Sequence, residues 1–273
     1  MIVVEATGPR ALFQDAGRPG WAHLGVGHSG AYDSDALHRA NALVGNLPDA
    51  AAVETTLGGF RFRPTADVIV AVTGATCRFP TDVATLVGAG EIVALGSVSA
   101  GVRNYVAFAG SIVGTSRGDV AVLGSWSTDT LNGLGPPALT AGMTLTIGDP
   151  RGTARAAEPT RRPNLIRLLP GPRADWADDP IGALTGGAWT VDPRSDRVAL
   201  RLAGPPIRRR RHDELVSEPL IRGAVQLPAG GQPLIFGPDC PTIGGYPVVA
   251  IVHPDDLAAL AQYRPGQPMR FVV

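Results

Sequence analysis

The chain has 273 residues, of which 44% are hydrophobic, enough to bury the core of one large domain or of two smaller ones. Its 24 basic and 24 acidic residues give a formal net charge of +0, so no global field attracts nucleic acid or an anionic membrane surface. Every basic residue is Arg, and the absence of Lys excludes a Schiff base, a lysine general base and the lysine of a phosphate-binding P-loop.

Short apolar runs punctuated by Gly and Pro dominate the chain. Their length and their Val, Ile and Leu content predict many short strands joined by turns, and therefore a mainly β fold. The clearest runs are DVIVAVTG from Asp67, EIVALG from Glu91, RNYVAFAG from Arg103, DVAVLG from Asp119 and RVALRLAG from Arg197.

Two segments show helical periodicity. The first covers residues 34–44, with Asp33 suited to cap its start and Gly45 suited to end it. Its apolar face holds Ala36, Leu37, Ala40, Leu43 and Val44. The second begins at Pro254, carries two aspartates in its first turn and stops before Pro265. Few and short helices are therefore expected.

A polar segment near the middle divides the chain. Residues 149–164 are rich in Pro and Arg and have no apolar periodicity, which predicts a linker at about 151–162. It separates an N-terminal β-rich half, 1–150, from a C-terminal half, 163–273. Each half closes with a short apolar segment, a turn that contains Gly and a final strand. Two explanations stay open, an internal duplication that makes the halves related, or coincidence between common hairpins.

Cysteine usage and hydropathy point to a reducing compartment. Cys77 and Cys240 lie far apart and belong to no C-x-x-C pair, so neither a disulfide framework nor a thiolate zinc site is suggested. The start of the chain lacks the basic and apolar regions of a signal peptide, and no run approaches the roughly 18 apolar residues of a membrane span. We expect a cytoplasmic protein.

The stretch HLGVGHSGAYDSDALHRANALVGN, residues 23–46, spells Gly25-x-Gly27-x-x-Gly30 before a helix, as in dinucleotide-binding folds. Such a fold needs an apolar strand directly before the first Gly, so that the turn presents N–H groups to a pyrophosphate. Here the preceding residues are QDAGRPGWAHL, and no acidic residue ends a second strand at the required distance. The glycines therefore do not indicate a dinucleotide site.

Several longer blocks, in order along nearly the whole chain, carry a family resemblance. They are QDAGRPGWAHLGVGHSGAYDSDALHRANALVGN, ETTLGG, VTGA, RNYVAFAG, LGSWSTDTLNGLG and SEPLIRGAVQLPAGGQPLIFGPDCPTIGGYPVVAIV. In these blocks the chain resembles the biotin-dependent carboxyltransferase family. Members of that family include allophanate hydrolase subunit 2, the KipA proteins, the second half of the carboxyltransferase domain of urea carboxylase, and the C component of bacterial ATP-dependent 5-oxoprolinase.

The resemblance implies a cyclophilin-like β-barrel architecture, in agreement with the predicted strands. It also implies a companion, a KipI-like protein or the B component of 5-oxoprolinase, with a third protein, the A component, in the oxoprolinase system. ATP shared with the complex, and carboxybiotin carried on another chain or domain, are the implied cofactors. Gly27 stands where the family usually has Pro, Tyr32 where Met is usual, and Ile243 where a second Thr is frequent. These departures leave the substrate undetermined.

Three functions follow as hypotheses. The first is the C component of a 5-oxoprolinase, acting on a small cyclic amide with ATP. The second is the carboxyltransferase half of a urea carboxylase or allophanate hydrolase system, and the third is a KipA-like regulatory binding protein. Both enzymatic reactions need donors for developing negative charge on an amide-like or urea-like group, which Arg, hydroxyls and backbone N–H groups in Gly-rich turns can supply.

Candidate site residues are concentrated in the blocks that carry the resemblance. The predicted catalytic residues are Asp15, Arg18, His28, Glu54 and Asp239. The predicted substrate-binding residues are Ser29, Asp33, Asn41, Ser127, Thr128, Asp129, Glu218, Gln226, Thr242, Gly244, Gly245 and Tyr246. The loop before the first helix is the leading binding loop, because a helix N-terminus favours an anionic group.

Each candidate also has a structural interpretation. Asp33 can serve simply as a helix cap, Asp15 and Arg18 can form a loop salt bridge, and Glu54 can form a structural ion pair. Asn41 is predicted to face away from the apolar face of its helix and to have a hydrogen-bond partner there. The five His residues show no metal-binding spacing, and nothing aromatic interleaves with the run Arg208 to Arg211, so neither a metal nor nucleic acid is expected.

Overall fold

The computed structural model describes residues 1–150, 152–156 and 165–273. The fold is mainly β, with a nearly closed barrel sheet, as the sequence predicts. The chain packs into two units. The first unit contains Met1–Arg18, Ser29–Asp129 and the described residues from 133 to 156. The second contains Pro19–His28, Thr130–Asn132 and residues 165–273. The predicted linker falls largely on residues 151 and 157–164, which lie outside the described residues.

The first unit is built from two five-stranded sheets. Its strands are β1 Ile2–Thr7, β2 Arg10–Gln14, β3 Ala52–Thr56, β4 Phe60–Pro64, β5 Val68–Thr76, β6 Ala84–Val87, β7 Val93–Ala94, β8 Ala100–Phe108, β9 Ile112–Thr115 and β10 Thr144–Ile147. One sheet has the order β7-β4-β1-β10-β9 and the other β2-β3-β8-β5-β6, with antiparallel neighbours throughout. Inward-facing residues of both sheets, among them Phe13, Phe62 and Phe108, share one apolar core.

Helix α1, Ser34–Leu43, begins and ends where the sequence predicts. The Asp33 carboxylate accepts a hydrogen bond from the N–H of Ala36 at 2.9 Å, which satisfies one of the unpaired donors of the first turn. Gly45 has φ 74°, a left-handed conformation that suits Gly after a helix. The side chain of Asn41 is fully buried. Its amide donates to the carbonyls of Pro48 at 3.0 Å and Ala50 at 2.8 Å, so burial supplies the expected partners.

The second unit contains an eight-stranded sheet and a two-stranded ribbon. Its elements are β11 Ile166–Pro170, α2 Pro180–Gly186, β12 Trp189–Val191, β13 Ala199–Ala203, β14 Glu218–Pro219, β15 Ala224–Gln226, β16 Leu234–Phe236, β17 Ile243–Gly244, β18 Val248–Val252, β19 Pro268–Met269 and β20 Phe271–Val272. The large sheet has the order β19-β12-β13-β16-β15-β18-β11-β20, and β14 pairs with β17. Helix α2 was not predicted; Asp179 caps it, and Pro180 occupies its first turn.

The apolar run from Asp119 is not a strand, contrary to the prediction. Its only pairing in the described chain is a bridge between Val122 and Ser125, whose backbones exchange two hydrogen bonds at 2.9 and 3.2 Å. Leu123 and Gly124 between them have φ 51° and 81°, so the run closes into a tight turn. The run from Glu91 likewise gives only the two-residue β7. Short apolar runs thus overstate strand content where a turn intervenes.

The C-terminal helix prediction is also wrong in type. Pro254 does begin a helical turn, but the segment consists of two 3-10 helices, Pro254–Asp256 and Ala259–Gln262. Arg167 of β11 donates to Asp256 from its backbone N–H at 2.8 Å and from its guanidinium at 2.7 and 3.0 Å. This tertiary contact holds the first turn, and the short amphipathic pattern does not extend into an α-helix.

Candidate functional site

Three loops of the first unit meet at the end of β2. The loop of residues 125–129 runs beside β2, because the N–H of Thr128 donates to the carbonyl of Phe13 at 2.9 Å and the Gln14 amide donates to the carbonyl of Thr128 at 2.9 Å. The loop before α1 joins them through Ala31, whose N–H donates to the carbonyl of Asp15 at 2.9 Å. Blocks that are about 15 and 110 residues apart in sequence thus form one cluster.

Asp15 organises this cluster. Its Oδ1 accepts from the hydroxyls of Ser125 at 2.6 Å and Ser127 at 2.5 Å, and from the N–H of Gly17 at 2.8 Å. Its Oδ2 accepts from the N–H of Trp126 at 2.6 Å. Hydrogen bonds to an ionised carboxylate are among the stronger ones in proteins, so this side chain fixes the path of the 125–127 backbone.

Arg18 strengthens the same loop from its other side. Its guanidinium donates to the carbonyls of Ser127 and Val122, and its side chain is almost completely buried. A Cβ on Gly135, which has φ 82°, would lie 2.1 Å from the carbonyl oxygen of Ser127. Position 135 must therefore be Gly, because a side chain there would collide with the backbone of the 125–129 loop.

The loop before α1 adopts a conformation that Gly tolerates best. Ser29 has φ 55° and Gly30 has φ 92°, and a Cβ on Gly30 would lie 2.9 Å from the carbonyl oxygen of Ala16. Ser29 is buried. The chain turns sharply here, so that Ala31 and the residues after it reach the start of α1.

Glu54 and Tyr105 hold this loop against the second sheet. They are register partners on β3 and β8, and the Tyr105 hydroxyl donates to Glu54 Oε2 at 2.6 Å. The same Oε2 accepts from the N–H of Tyr32 at 3.1 Å, and the Tyr105 oxygen accepts from the N–H of Asp33 at 2.7 Å. Two consecutive backbone donors of the loop are thereby fixed by side chains of the sheet.

Electrostatics keep the Tyr105 phenol protonated. Burial raises the pKa of Tyr105 well above its usual value, and the charges of Glu54 and Asp33 raise it further, so the phenol stays a neutral donor at physiological pH. Arg103 lies 3.5 Å from Glu54 Oε1 and stacks over the Tyr32 ring at 4.3 Å from its centroid. One carboxylate, one cation and two tyrosines therefore lie together inside the unit.

Removing the Tyr105 hydroxyl tests this network. Tyr105→Phe keeps the ring but leaves the N–H of Asp33 without its acceptor, so we expect the free energy of unfolding to fall by about 1–3 kcal/mol. Urea denaturation measures the change. Tyr246→Phe is the control, because half of Tyr246 is exposed, and it should change stability by less than about 0.5 kcal/mol. Equal effects of the two substitutions would contradict the network.

The remaining predicted residues of the first unit make local backbone contacts. The Thr128 hydroxyl donates to the carbonyl of Pro136 at 2.8 Å. Asp129 is buried, its N–H donates to the carbonyl of Leu134 at 2.9 Å, and its carbonyl accepts from Gly133 at 3.0 Å. These bonds close the 129–134 turn. Substrate-binding roles for both residues stay predictions.

In the second unit, Asp239 forms a buried ion pair with Arg197. The guanidinium donates to both carboxylate oxygens, at 2.9 and 3.0 Å, and both side chains are at most 2% exposed. Thr130 donates to Oδ2 from its N–H at 2.9 Å and from its hydroxyl at 2.7 Å. Burial works to raise the pKa of Asp239, but the charge and hydrogen bonds of Arg197 and Thr130 outweigh it, and the pKa is lowered. Asp239 is therefore ionised and held in place.

A second group of predicted residues surrounds the β14–β17 ribbon. Glu218 accepts from Arg173 Nε at 2.9 and 3.1 Å, and this hydrogen bonding lowers the pKa of Glu218. The Gln226 amide donates to the carbonyl of Tyr246 at 2.9 Å. A Cβ on Gly244, opposite Glu218 in register, would lie 2.9 Å from the Gln226 amide nitrogen. A larger residue at this position of β17 would therefore displace the end of the Gln226 side chain.

The other predicted residues of that unit are more accessible. The carbonyl of Thr242 accepts from the N–H of Leu220 at 2.9 Å, while Gly245 and the Tyr246 ring are exposed. His28 is exposed too, and it belongs to the second unit, whereas Ser29 belongs to the first. Two adjacent residues, His28 and Ser29, thus belong to different units, and no local sequence pattern indicates this division.

Several residues of these clusters were missed from the sequence. Arg103 and Tyr105 alternate on β8 and share a face, a signal that the RNYVAFAG run contains. Trp126, Arg173 and Arg197 have no comparable signal, because their partners are distant in sequence. No group of three His, Cys, Asp or Glu side chains in the described ranges could hold a metal, and no described helix is long and apolar enough to cross a membrane.

Comparison with known families identifies the chain. The family described as the carboxyltransferase domain, subdomain A and B, matches residues 24–273. The chain belongs to this family. The 5-oxoprolinase C component of Escherichia coli strain K12 is 36% identical, over 100% of this chain and 91% of that protein. The urea amidolyase of Lachancea kluyveri is 29% identical over 98% of this chain, which spans only 17% of that protein.

Solved structures agree with this membership. The crystal structure of TTHA0988 superposes with a TM-score of 0.88 at 34% identity, covering 100% of this chain and 55% of the other. The urea amidolyase of K. lactis gives a TM-score of 0.88 at 27% identity, over 99% of this chain and 18% of the other. The carboxyltransferase resemblance is confirmed. These relatives are parts of enzymes, which supports a role as one component of an enzyme complex.

Proposed function

We propose that this carboxyltransferase-family chain is the C component of a cytoplasmic 5-oxoprolinase-type complex. It acts with a KipI-like companion, the B component, and with an A component to open a small cyclic amide, using ATP. The observation that carries the proposal is the extent of similarity. The E. coli C component aligns over 91% of its own length, whereas the urea amidolyase region amounts to 17% of its protein.

The cluster at the end of β2 supports an amide-directed role. Opening a lactam places developing negative charge on the amide oxygen, and preorganised N–H and hydroxyl donors stabilise such charge. The loops 29–33 and 125–129 are rich in these groups, and several of them bind Asp15 and the Glu54–Tyr105 pair, which holds the loops rigid. Rigid polar loops are what such a site requires.

The geometry favours positioning roles for the predicted catalytic carboxylates. The side chains of Asp15, Glu54 and Asp239 each accept hydrogen bonds from the protein's own donors, and Asp239 is paired with a buried cation. A general base must instead reach a substrate proton. Within the described chain, Asp15 Oδ2 accepts a single hydrogen bond, so of the three side chains Asp15 is the best candidate to contact substrate as well.

ATP fits this chain poorly, and we assign it to the companion proteins. The densest positive charge, Arg208 to Arg211, is engaged by the protein itself. Arg210 donates to Asp178 at 2.5 Å, and Arg211 stacks on the Trp176 ring at 5.2 Å. The chain also has no Lys to carry biotin. The roles proposed for Asp15, Glu54 and Asp239 therefore do not require ATP or biotin to contact this chain.

The carboxyltransferase half of a urea carboxylase system is the second candidate. Its support is the structural similarity to the K. lactis urea amidolyase, with a TM-score of 0.88. Carboxyl transfer needs the same donors and, in addition, a base for the accepting nitrogen. The two reactions are therefore separated by substrate and not by the geometry of the loops.

Reconstitution tests the proposal. We expect the chain, co-expressed with the products of its neighbouring genes, to form glutamate from 5-oxoproline only when ATP is present, and omission of this chain should abolish turnover. Urea carboxylation with ATP and bicarbonate, in a mixture supplemented with a biotin carboxylase component, is assayed in parallel. Carboxylation without glutamate formation would select the second candidate. Tight partner binding with neither activity would select the regulatory function.

A further inference from the structure

A groove of about 460 Å³ opens on the first unit, beside the cluster at the end of β2. It lies between the chain after α1, the chain around the start of β9, and the Trp126 loop. Its lining includes Asp15, Leu47, Asp49, Val113, Trp126 and Asp149. Neither the family match nor the relatives' names assign anything to this groove.

Its surface is mostly apolar and partly open. Ile112 and Ala51 are buried, while Leu47 and Val113 are 71% and 53% exposed. Apolar side chains that remain exposed next to a groove mark an interaction surface more often than scattered surface residues do. Leu47 and Val113 thus leave part of the apolar lining open to solvent, which suits the binding of a polypeptide segment.

The charge of the groove is of one sign. Asp15, Asp49 and Asp149 line it, and no Arg or His belongs to its described lining. Of these three carboxylates, only Asp49 has an ion-pair partner within the described ranges, His38 at 3.6 Å. Asp15 is only 7% exposed, and its hydrogen bonds come from neutral donors. An occupant that brings a cation complements this charge and can stack that cation on Trp126.

Ile112 and Val113, which line the groove, belong to the edge strand of a sheet. Strand β9 is the last strand of the β7-β4-β1-β10-β9 sheet, so one of its edges is unpaired by any described strand. An extended segment can add to such an edge through main-chain hydrogen bonds while its alternate side chains enter a groove.

We propose that this groove docks an extended segment of the KipI-like companion, one that carries apolar side chains and at least one Lys or Arg. The inference rests on the proposed function, because it names where that companion binds. Docking here places the partner's cation beside Asp15 and Trp126, next to the loops of the candidate site.

The experiment measures the affinity of this chain for the KipI-like companion at two salt concentrations. Val113→Arg places a long side chain and a positive charge in the groove, and we expect roughly tenfold or greater weakening. Ile92→Arg is the matched control, because Ile92 is 52% exposed and lies outside the groove, and affinity should change by less than about twofold. The double variant Asp49→Asn, Asp149→Asn should weaken binding mainly at low salt.

Thermal unfolding of each variant controls for folding, and the double variant decides the matter if Val113→Arg is unstable. Equal affinities of Val113→Arg and Ile92→Arg, or a double variant with unchanged affinity and salt dependence, would overturn the docking site alone while leaving glutamate formation in place. Absence of any wild-type complex, together with no turnover, would overturn the docking site and the proposed function together.

Discussion

Asp239→Asn is expected to lower the free energy of unfolding of the second unit by about 3–5 kcal/mol, because it leaves the Arg197 guanidinium buried without its carboxylate. Urea denaturation followed by Trp fluorescence measures the change. Asp192→Asn is the control. It breaks an ion pair with Arg194, whose side chain is 79% exposed, and should lower the stability far less than Asp239→Asn does.

The effect of Asp239→Asn depends on pH in a defined direction. The pKa of Asp239 is lowered in the folded protein, so its contribution is complete above the unfolded value of about 3.9 and is lost as pH falls through the folded value. Wild type and variant should therefore converge in stability below about pH 4. Lost turnover with full stability at pH 7 would instead show that Asp239 is catalytic, as the sequence suggested.

Asp15→Asn is expected to cost about 3 kcal/mol and to abolish turnover of the complex. The amide keeps one acceptor oxygen and turns a donor toward the N–H of Trp126 or the serine hydroxyls, so at least one buried donor loses its acceptor. The 125–127 loop then loses its anchor. Urea denaturation and the glutamate assay are measured on the same preparations.

The combination of the two measurements separates the possible roles of Asp15. Lost stability with lost turnover supports an anchor, whereas lost turnover at unchanged stability would identify a group that acts on substrate. Asp67→Asn is the control, because Asp67 is exposed and accepts from the N–H of Ala89 at 2.8 Å, in an exposed turn. We expect that substitution to leave turnover unchanged and to cost less than about 0.5 kcal/mol.

Local patterns predicted the structure well where local physics decides it. Asp33 and Gly45 delimit α1 because a side-chain acceptor and a left-handed Gly satisfy the ends of any helix. The runs from Asp67 and Arg103 became the long strands β5 and β8. The run from Asp119 failed because Leu123 and Gly124 take positive φ, and an apolar run alone does not distinguish a strand from such a turn.

The candidate site was predicted as residues but not as contacts. The sequence selected Asp15, Glu54 and Asp239 because carboxylates in Gly-rich blocks suit chemistry. It did not supply Tyr105 or Arg197, the side chains that define what Glu54 and Asp239 do. It predicted a hydrogen-bond partner for Asn41 but not which one, because the carbonyls of Pro48 and Ala50 come close only after the following loop folds back.

The sequence by itself therefore determined the β class, the first helix with its caps, the Gly-dependent turns and the family. Only the tertiary structure decided which polar groups meet. Asp15 and Ser127 are 112 positions apart, Glu54 and Tyr105 are 51 apart, and Arg197 and Asp239 are 42 apart. The reason is physical, since helix caps and turns follow from neighbouring dihedral angles, whereas contacts between distant residues follow from how strands pair and which loops those pairings bring together.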